Sequence, residues 1–511
     1  MWAPLVLIVS STICLGLAGS AAPNWAAYHD EKQLVEALED VARRCPNISQ
    51  LYTVGESVEG RPLVAIQLST TPGRRETCGR MESSRRANGQ TIAVKPEVRY
   101  VANMHGNEVV GRELLVRLAY ELCQGWLSGD VETRELLNST SIHLMPSMNP
   151  DGFALAYNMA PEQRTWVTGR TNARGIDLNR DFPDLDSLYY RLQEAGAPQL
   201  DHLLELFEDS HKRQPETVAV GRWILNWPWV LSANLHEGDL VANYPFDVSS
   251  KPQATAYAAS PDDHTFRWLA STYAQNHAHM AKNDHAPCDG RASDAFALQG
   301  GITNGAHWYP VAGGMQDFVY LATNAMETTL ELSCEKLPPA AQLPQFWEDN
   351  RRALLAYLWR ANAGIKGLVG DAVSGEPIQG AVLLVWNSTA EGQKTSARPI
   401  AHQVVTWTDG DYHRILPPGH YEVSVSAPGY LSASRHVEVT NAHRDAAHRL
   451  DFVLIPEVPL PSSSYDDHQS GSTYLQNEIN DVVADLEAAA AVAAEASADE
   501  AAATSAPPQH M

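Results

Sequence analysis

Val98-Arg99-Tyr100-Val101-Ala102, then Asn103-Met104-His105-Gly106-Asn107-Glu108, then the segment from Val109 to Trp126: this stretch decides the architecture of the chain. The first five residues form a short, mostly apolar run of strand type. From Val109 onward the apolar positions recur at helical spacing. The turn between the two carries one imidazole and one carboxylate, three residues apart. Two further apolar runs, Ile142 to Met145 and Val230 to Leu235, read as buried strands among helical segments. Strands alternating with helices predict an α/β domain around a largely buried sheet, here assigned to residues 24–363. Such sheets place ligands at the carboxyl ends of their strands, and His105 and Glu108 fall at one of these ends.

Beyond that region the pattern changes. Residues 364–456 hold short runs such as Ala381–Trp386, Tyr421–Ser426 and Leu450–Leu454, separated by turn signals including Asp409-Gly410 and Pro417-Pro418-Gly419. Short strands between turns predict a small all-β sandwich of about 100 residues. It carries no catalytic constellation, so a structural or docking role is expected of it. Residues 457–511 form an Ala-rich acidic tail in which Leu475, Ile479, Val482 and Leu486 share one helical face. A solvated tail is one reading. The other is a surface-seeking amphipathic helix able to meet a membrane once its carboxylates are protonated.

Charge narrows the range of partners. Among 511 residues, 37 are Lys or Arg and 61 are Asp or Glu, a formal net charge of −24. Nucleic acid is set aside as a partner, because binding phosphates needs concentrated positive charge. Ten of the acidic residues lie from Glu457 onward, yet the body before them remains acidic. The segment Met1 to Ala22 has no charged side chain, and Leu5 to Leu17 is mostly apolar before the small residues Ala18 to Ala22. This reads as a cleaved signal peptide, since a membrane anchor wants about 20 apolar residues. Nothing later in the sequence is long and apolar enough to span a bilayer. Sequons at Asn47, Asn138 and Asn387 agree with export, to a secretory granule or the extracellular space. Cys45, Cys78, Cys123, Cys288 and Cys334 remain after the signal, an odd number that leaves at least one thiol free or paired between chains.

Four clusters carry chemistry. His105 and Glu108 on their turn can aim at a common point, and His236 is the candidate third ligand because it also ends a strand. Two His and one Glu, with a position left for water, make a catalytic zinc set. Gly169-Arg170-Thr171-Asn172-Ala173-Arg174-Gly175-Ile176-Asp177-Leu178-Asn179-Arg180 sets arginines between turn formers, suited either to bidentate capture of a carboxylate or phosphate or to a solvated basic loop. Gly305-Ala306-His307-Trp308-Tyr309 through Gly313-Gly314-Met315-Gln316-Asp317 is Gly-rich beside an aromatic pair, a mobile lid or a plain surface loop. In Thr328-Thr329-Leu330-Glu331-Leu332-Ser333 a lone carboxylate interrupts a β-like run, which is costly unless the group is paired or functional. A serine hydrolase is not supported, for want of a G-x-S-x-G elbow.

Together these clusters resemble the zinc metallocarboxypeptidases of the regulatory N/E subfamily over residues 25–455. The resemblance rests on His105-Gly106-Asn107-Glu108, Asn149-Pro150-Asp151-Gly152-Phe153, Asp177-Leu178-Asn179-Arg180, Ser232-Ala233-Asn234-Leu235-His236, Gly301-Ile302-Thr303-Asn304-Gly305 and Gly313-Gly314-Met315-Gln316-Asp317. Asp239 to Pro245 and Glu331 to Lys336 lean toward the E branch. The implied fold class is α/β: a mixed-sheet zinc carboxypeptidase domain, a small all-β transthyretin-like sandwich and the acidic tail. The implied cofactor is one Zn2+ per chain on His105, Glu108 and His236. Asn179 and Arg180 would grip the substrate's terminal carboxylate, and Arg170 would polarise the scissile carbonyl. Tyr309 would close over the bound end, and Glu331 would serve as general base and acid. Asp247 and Gln316 match the positions that select a basic C-terminal residue, since a desolvated Lys or Arg head needs a negative partner. The implied activity is a secreted exopeptidase removing C-terminal Lys or Arg from peptides and proteins, with trimming of precursors as its setting.

Three departures accompany the resemblance. Glu237 follows the third ligand where relatives usually have Gly, which puts an extra carboxylate beside the metal. Asp181 stands where Asn is usual, next to the carboxylate clamp. Ala325 replaces the cysteine that often bonds a partner near Cys288, so that bridge is expected to be missing, with Cys45–Cys123 retained. The insert from Gly73 to Lys95, with Cys78, Arg74-Arg75 and Arg85-Arg86, reads as a solvated loop. The rival from another class is a catalytically weak secreted protein that binds peptide ends without turnover. An enzyme for apolar C-termini is the second rival, and Asp247 argues against it.

Overall fold

The computed structural model describes residues 24–73, 95–195, 212–251, 255–291, 295–444 and 446–457. The segment read as a signal peptide, the insert with Cys78 and its basic pairs, and the acidic tail, read either as solvated or as an amphipathic helix, lie outside them.

The larger layer is a mixed sheet. Its strands are β1 (Ser49–Glu56), β2 (Pro62–Leu68), β3 (Glu97–Ala102), β4 (Ser141–Met145), β5 (Trp229–His236), β6 (Leu240–Tyr244), β7 (Ile302–Asn304) and β8 (Met326–Leu332). They lie side by side in the order β1-β2-β4-β3-β5-β8-β6-β7. The four central strands β4, β3, β5 and β8 run parallel, and antiparallel neighbours flank them at β2 and β6. Every residue of β3, β4, β5 and β8 is buried. Strands covered on both faces tend to be continuous apolar runs rather than alternating ones, which is why β3, β4 and β5 read plainly from sequence, whereas β8 is interrupted by two threonines and two glutamates.

The covering helices are α1 (Glu31–Arg44), α2 (Val110–Ser128), α3 (Val131–Ser139), α4 (Pro150–Asn158), α5 (Leu185–Glu194), α6 (Pro215–Leu225), α7 (Asp263–Asn276), α8 (Gly305–Trp308), α9 (Met315–Ala322) and α10 (Leu343–Trp359). Their starts follow local chemistry. Asp30 and Gln33 form a reciprocal capping box at α1, and Asn149 accepts from the Gly152 amide ahead of Pro150 at α4. One continuous core of side chains from both faces of the sheet and these helices holds the unit together.

The remaining strands are β9 (Ile365–Asp371), β10 (Val382–Ser388), β11 (Val404–Val405), β12 (Asp411–Arg414), β13 (Gly419–Ser426), β14 (Ala433–Val439), β15 (His448–Arg449) and β16 (Phe452–Leu454). One sheet runs β11-β10-β13-β14, the other β12-β9-β15, with β16 also paired to β9. Val369, Leu383, Val423, Val425 and Phe452 meet in a second core between the sheets. The alternating burial of β13 is the signature of a strand with one face in such a core.

Cys45 and Cys123 are bonded. Ala325 forms no bridge, as expected, and Cys288 is bonded instead to Cys334, a pairing that sequence reading does not anticipate. Ala325 does not leave Cys288 without a partner: Cys334, two residues past β8, brings its Cα within 5.0 Å, a normal span for a disulfide. All three sequon asparagines are exposed. No helix among the described residues is long and apolar enough to cross a membrane.

Candidate active site

Register builds the site. In the parallel pair β5 and β8, His236 stands opposite Glu331, so two strand ends deliver an imidazole and a carboxylate side by side. Ala102 pairs with Leu235 in the neighbouring β3 and β5, so the turn leaving β3 arrives at the same edge. That turn is held tightly. Asn103 donates to the carbonyls of His105, Gly106 and Glu108 at 2.7–3.0 Å. A Cβ on Gly106 would lie 2.2 Å from the backbone of Gly152 and Phe153, so the turn can rest on the start of α4 only with glycine there.

His105, Glu108 and His236 converge. The Nδ1 atoms of the two histidines are 3.2 Å apart, and each lies 2.9–3.0 Å from a Glu108 oxygen. Donor atoms about 2.0–2.1 Å from a tetrahedral zinc would be separated by about 3.3 Å, so the spacing suits such an ion. All three residues are buried, and their donor atoms form the metal-competent group among the described residues. Burial brings the His236 imidazole down to about 4, keeping it neutral as a ligand must be. Burial would raise the Glu108 carboxyl, but His105 and Lys336 beside it hold it well below the usual carboxylate range. The donor set therefore fits zinc.

The outer contacts contain two residues to which sequence reading gives no role. Asp177 accepts from His105 Nε2 at 2.9 Å and from Arg170 Nε at 3.0 Å, so one carboxylate orients both a ligand and an arginine. Lys336 Nζ donates to Glu108 Oε1 at 2.6 Å. The departures also resolve. Glu237 Oε1 accepts from the Gly111 amide at 3.0 Å, so it supplies the acceptor that the start of α2 lacks from its own Val109. Its backbone amide meanwhile donates to Glu108 Oε2 at 3.2 Å. Burial and the nearby Glu108 push the Glu237 carboxyl up to about 8. Asp181 accepts from the Gln214 amide at 2.8 Å and so ties down the segment before α6, rather than standing with the clamp.

Above the metal ligands lies a cleft of about 310 Å³ that gathers Arg170, Asn179, Arg180, Asp247, Tyr309 and Glu331. Arg174 is not brought in, and it lines a separate depression near Glu56 and Arg213. Asn179 is fixed by the Met315 amide, which donates to its Oδ1 at 3.0 Å. The exposed Arg180 makes no ion pair among the described residues and is available to an anion. The Gly-rich segment is not one free loop. It folds into α8 and then α9, and Tyr309, 42% exposed, hangs between them over the cleft. Glu331 is buried with its Oε2 unpartnered, and burial together with Glu108 pushes its carboxyl well up.

At the floor, Asp247 Oδ1 accepts from Gln316 Nε2 at 2.9 Å and from Asn243 Nδ2 at 3.3 Å. Its own amide donates to Asp317 Oδ2 at 2.6 Å. A Cβ on Gly305 would lie 1.8 Å from Asp247 Oδ1, so only glycine leaves room for this carboxylate. Burial, then the neighbouring Asp317, raises Asp247 well above the ordinary range. A buried carboxylate with too little positive charge around it is a receptor for a cation. The site can thus hold a divalent metal, grip an anionic chain end and seat a cationic head.

The chain is similar to known proteins along most of its length. Residues 34–353 match the family model described as zinc carboxypeptidase, and residues 364–454 match a carboxypeptidase regulatory-like domain. The chain is 56% identical to carboxypeptidase E of Caenorhabditis elegans over 458 residues, covering 89% of this chain and 92% of that protein. It is 41% identical to the human carboxypeptidase N catalytic chain, over 80% of this chain and 82% of that one. With mouse carboxypeptidase Z it shares 41% identity over 86% of this chain, spanning 62% of that longer protein. Among solved structures, carboxypeptidase A from Helicoverpa armigera aligns with a TM-score of 0.44 at 17% identity, over 66% of this chain and 74% of that one.

Proposed function

This chain belongs to the zinc carboxypeptidase family, and from that premise we propose that it is a secreted exopeptidase releasing C-terminal Lys or Arg from peptides and proteins, with precursor trimming as its setting. The observation that carries the specificity is Asp247, buried at the cleft floor and held by Gln316 and Asn243 with no cation beside it among the hydrogen bonds it makes.

His105, Glu108 and His236 would hold one zinc ion. When bound, zinc supplies Lewis acidity, polarising a carbonyl and making water more acidic. The protein's own residues account for the rest. Arg180, with Asn179 beside it, binds the terminal carboxylate, which restricts cleavage to chain ends. Asp247 and Gln316 seat the basic head. Arg170, held by Asp177 and reaching the ligand Glu108 through Nη1, would polarise the scissile carbonyl, where charge develops. Glu331, a carboxylate made more basic by burial, takes a proton from the attacking water and passes it to the leaving amine. Tyr309 covers the bound end and sheds water from the cleft.

Metal removal tests this reading. Dialysis against a chelator is expected to abolish release of arginine from a blocked dipeptide and to lower the unfolding temperature, and stoichiometric zinc should restore both. Arginine release that persists in metal-free protein would refute the assignment. The competing reading, a peptide-end binding protein, requires metal-loaded protein that binds such peptides without turnover.

A further inference from the structure

The helix α9 touches both the cleft floor and the β-sandwich. Gln316 and Asp317 hold Asp247 through its side chain and its amide. One turn on, Tyr320 meets the β-sandwich, and residues four apart on a helix lie on the same face. The His402 ring stacks on Tyr320 with centroids 4.2 Å apart and planes inclined by 13°. His402 Nε2 lies 2.8 Å from the Tyr320 carbonyl oxygen, so that nitrogen is the N–H donor and Nδ1 is left to accept from Arg414 Nη1 at 3.4 Å. Arg414 Nη2 donates to both oxygens of Asp262 at 2.8 and 3.0 Å, and the Tyr320 hydroxyl donates to the same carboxylate at 3.0 Å. Just past α9, the Asn324 side chain exchanges a pair of hydrogen bonds with the Val405 backbone at 2.8 and 3.0 Å.

These contacts reach the cleft floor. Tyr320 packs on Phe246 with ring centroids 5.8 Å apart, and Phe246 is the residue before Asp247. Arg414, Asp262 and His402 are each at most 2% exposed. A fully buried ion pair is a weak stabiliser, because desolvation offsets its attraction, but it fixes one geometry and rejects others. A seam built only for adhesion would be served by apolar packing. This one is polar, buried and directed at the helix that carries the specificity residues.

We propose that His402 and Arg414 of the β-sandwich are positioning residues for the basic-residue pocket, holding α9 through Tyr320 and Asp262 so that Gln316 and Asp317 keep Asp247 in place. The part of this that concerns substrate rests on the reading of Asp247 given above; the mechanical coupling does not.

The test compares full-length wild type with His402→Ala, the conservative His402→Gln, and Val437→Ala, which loosens the sandwich core in β14, at the opposite edge of its sheet from β11. Two readouts are taken: steady-state kinetics on a blocked dipeptide ending in Arg, and hydrogen exchange of the α9 amides. For His402→Ala, KM is expected to rise about 2- to 30-fold with kcat nearly unchanged, the range seen for residues that act through a coupled network. Exchange in α9 should quicken in the same variant. His402→Gln keeps an N–H donor and should recover most of both effects, whereas Val437→Ala should lower the unfolding temperature and move neither. Unchanged KM and α9 exchange in His402→Ala, or equal changes in Val437→Ala, would overturn the proposal. Wild-type protein that releases no arginine would instead refute the functional reading, while exchange in α9 would still decide the coupling.

Discussion

Glu331→Gln is expected to lower kcat for release of a C-terminal arginine by about 10²–10⁴-fold, the usual contribution of a positioned proton-transfer group. The substitution preserves shape and removes only the ability to accept and return a proton. Metal content should be unchanged, because the ligand atoms belong to His105, Glu108 and His236. KM should move little, because Asp247 and Arg180 are untouched. The reason for expecting a large effect is the environment of the carboxyl. It is buried with one oxygen unpartnered, and burial beside Glu108 raises it well above an ordinary glutamate. A solvated glutamate would be too weak a base for the task. Metal titration and unfolding temperature, measured with the kinetics, separate loss of chemistry from loss of fold. A variant that keeps more than about a tenth of wild-type kcat would remove Glu331 from the proton-transfer role.

The second large effect concerns specificity. Asp247→Asn should cost about 2–5 kcal/mol for substrates ending in Arg or Lys, about 30- to 5,000-fold in kcat/KM, the penalty for leaving one member of a desolvated charge pair alone. The same change should leave a substrate ending in Phe unaffected or slightly improved. Asparagine still offers an oxygen to Gln316 and Asn243, so the pocket can keep its form while losing its charge. The contrast between substrates is therefore the diagnostic, measured as kcat/KM for Arg, Lys and Phe with each enzyme. Equal losses on all three would mean that Asp247 supports the cleft rather than selecting the side chain.

Much of this site is legible in the sequence because its main residues stand at strand ends. His105 and Glu108 follow β3, His236 closes β5 and Glu331 lies near the end of β8; β3 and β5 announce themselves as apolar runs, and in β8 the carboxylate stands out within a β-like run. What sequence does not disclose is where a side chain turns when its partner is remote. Asp177 reads as an ordinary turn residue, and it does accept from the Asn179 amide, but its second partner His105 is 72 residues away. Lys336 reaches Glu108 across 228 residues. Glu237 reads as an extra charge at the metal because it follows His236. It does line the cleft beside Glu108, but its Oε1 is turned to the start of α2, 126 residues away in sequence, where a helix end needs an acceptor. The Cys288 pairing is missed for the same reason, since only the course of the chain past β8 brings Cys334 to it. The sandwich is legible as a β unit, yet the polarity of its seam through Asp262, His402 and Arg414 is not, because each of those residues taken singly reads as a surface residue.

If one zinc-dependent cleft removes basic residues from chain ends, release must depend on both the metal and the terminal side chain. The most direct measurement is release of the terminal residue from matched blocked dipeptides ending in Arg, Lys and Phe, at pH 5.5 and 7.4, with and without chelator. Release of Arg and Lys but not Phe, abolished by the chelator, is the result predicted here, and the faster pH indicates the compartment. Release of Phe as fast as Arg would contradict the role of Asp247, and folded, zinc-loaded protein that releases none of the three would contradict the account as a whole.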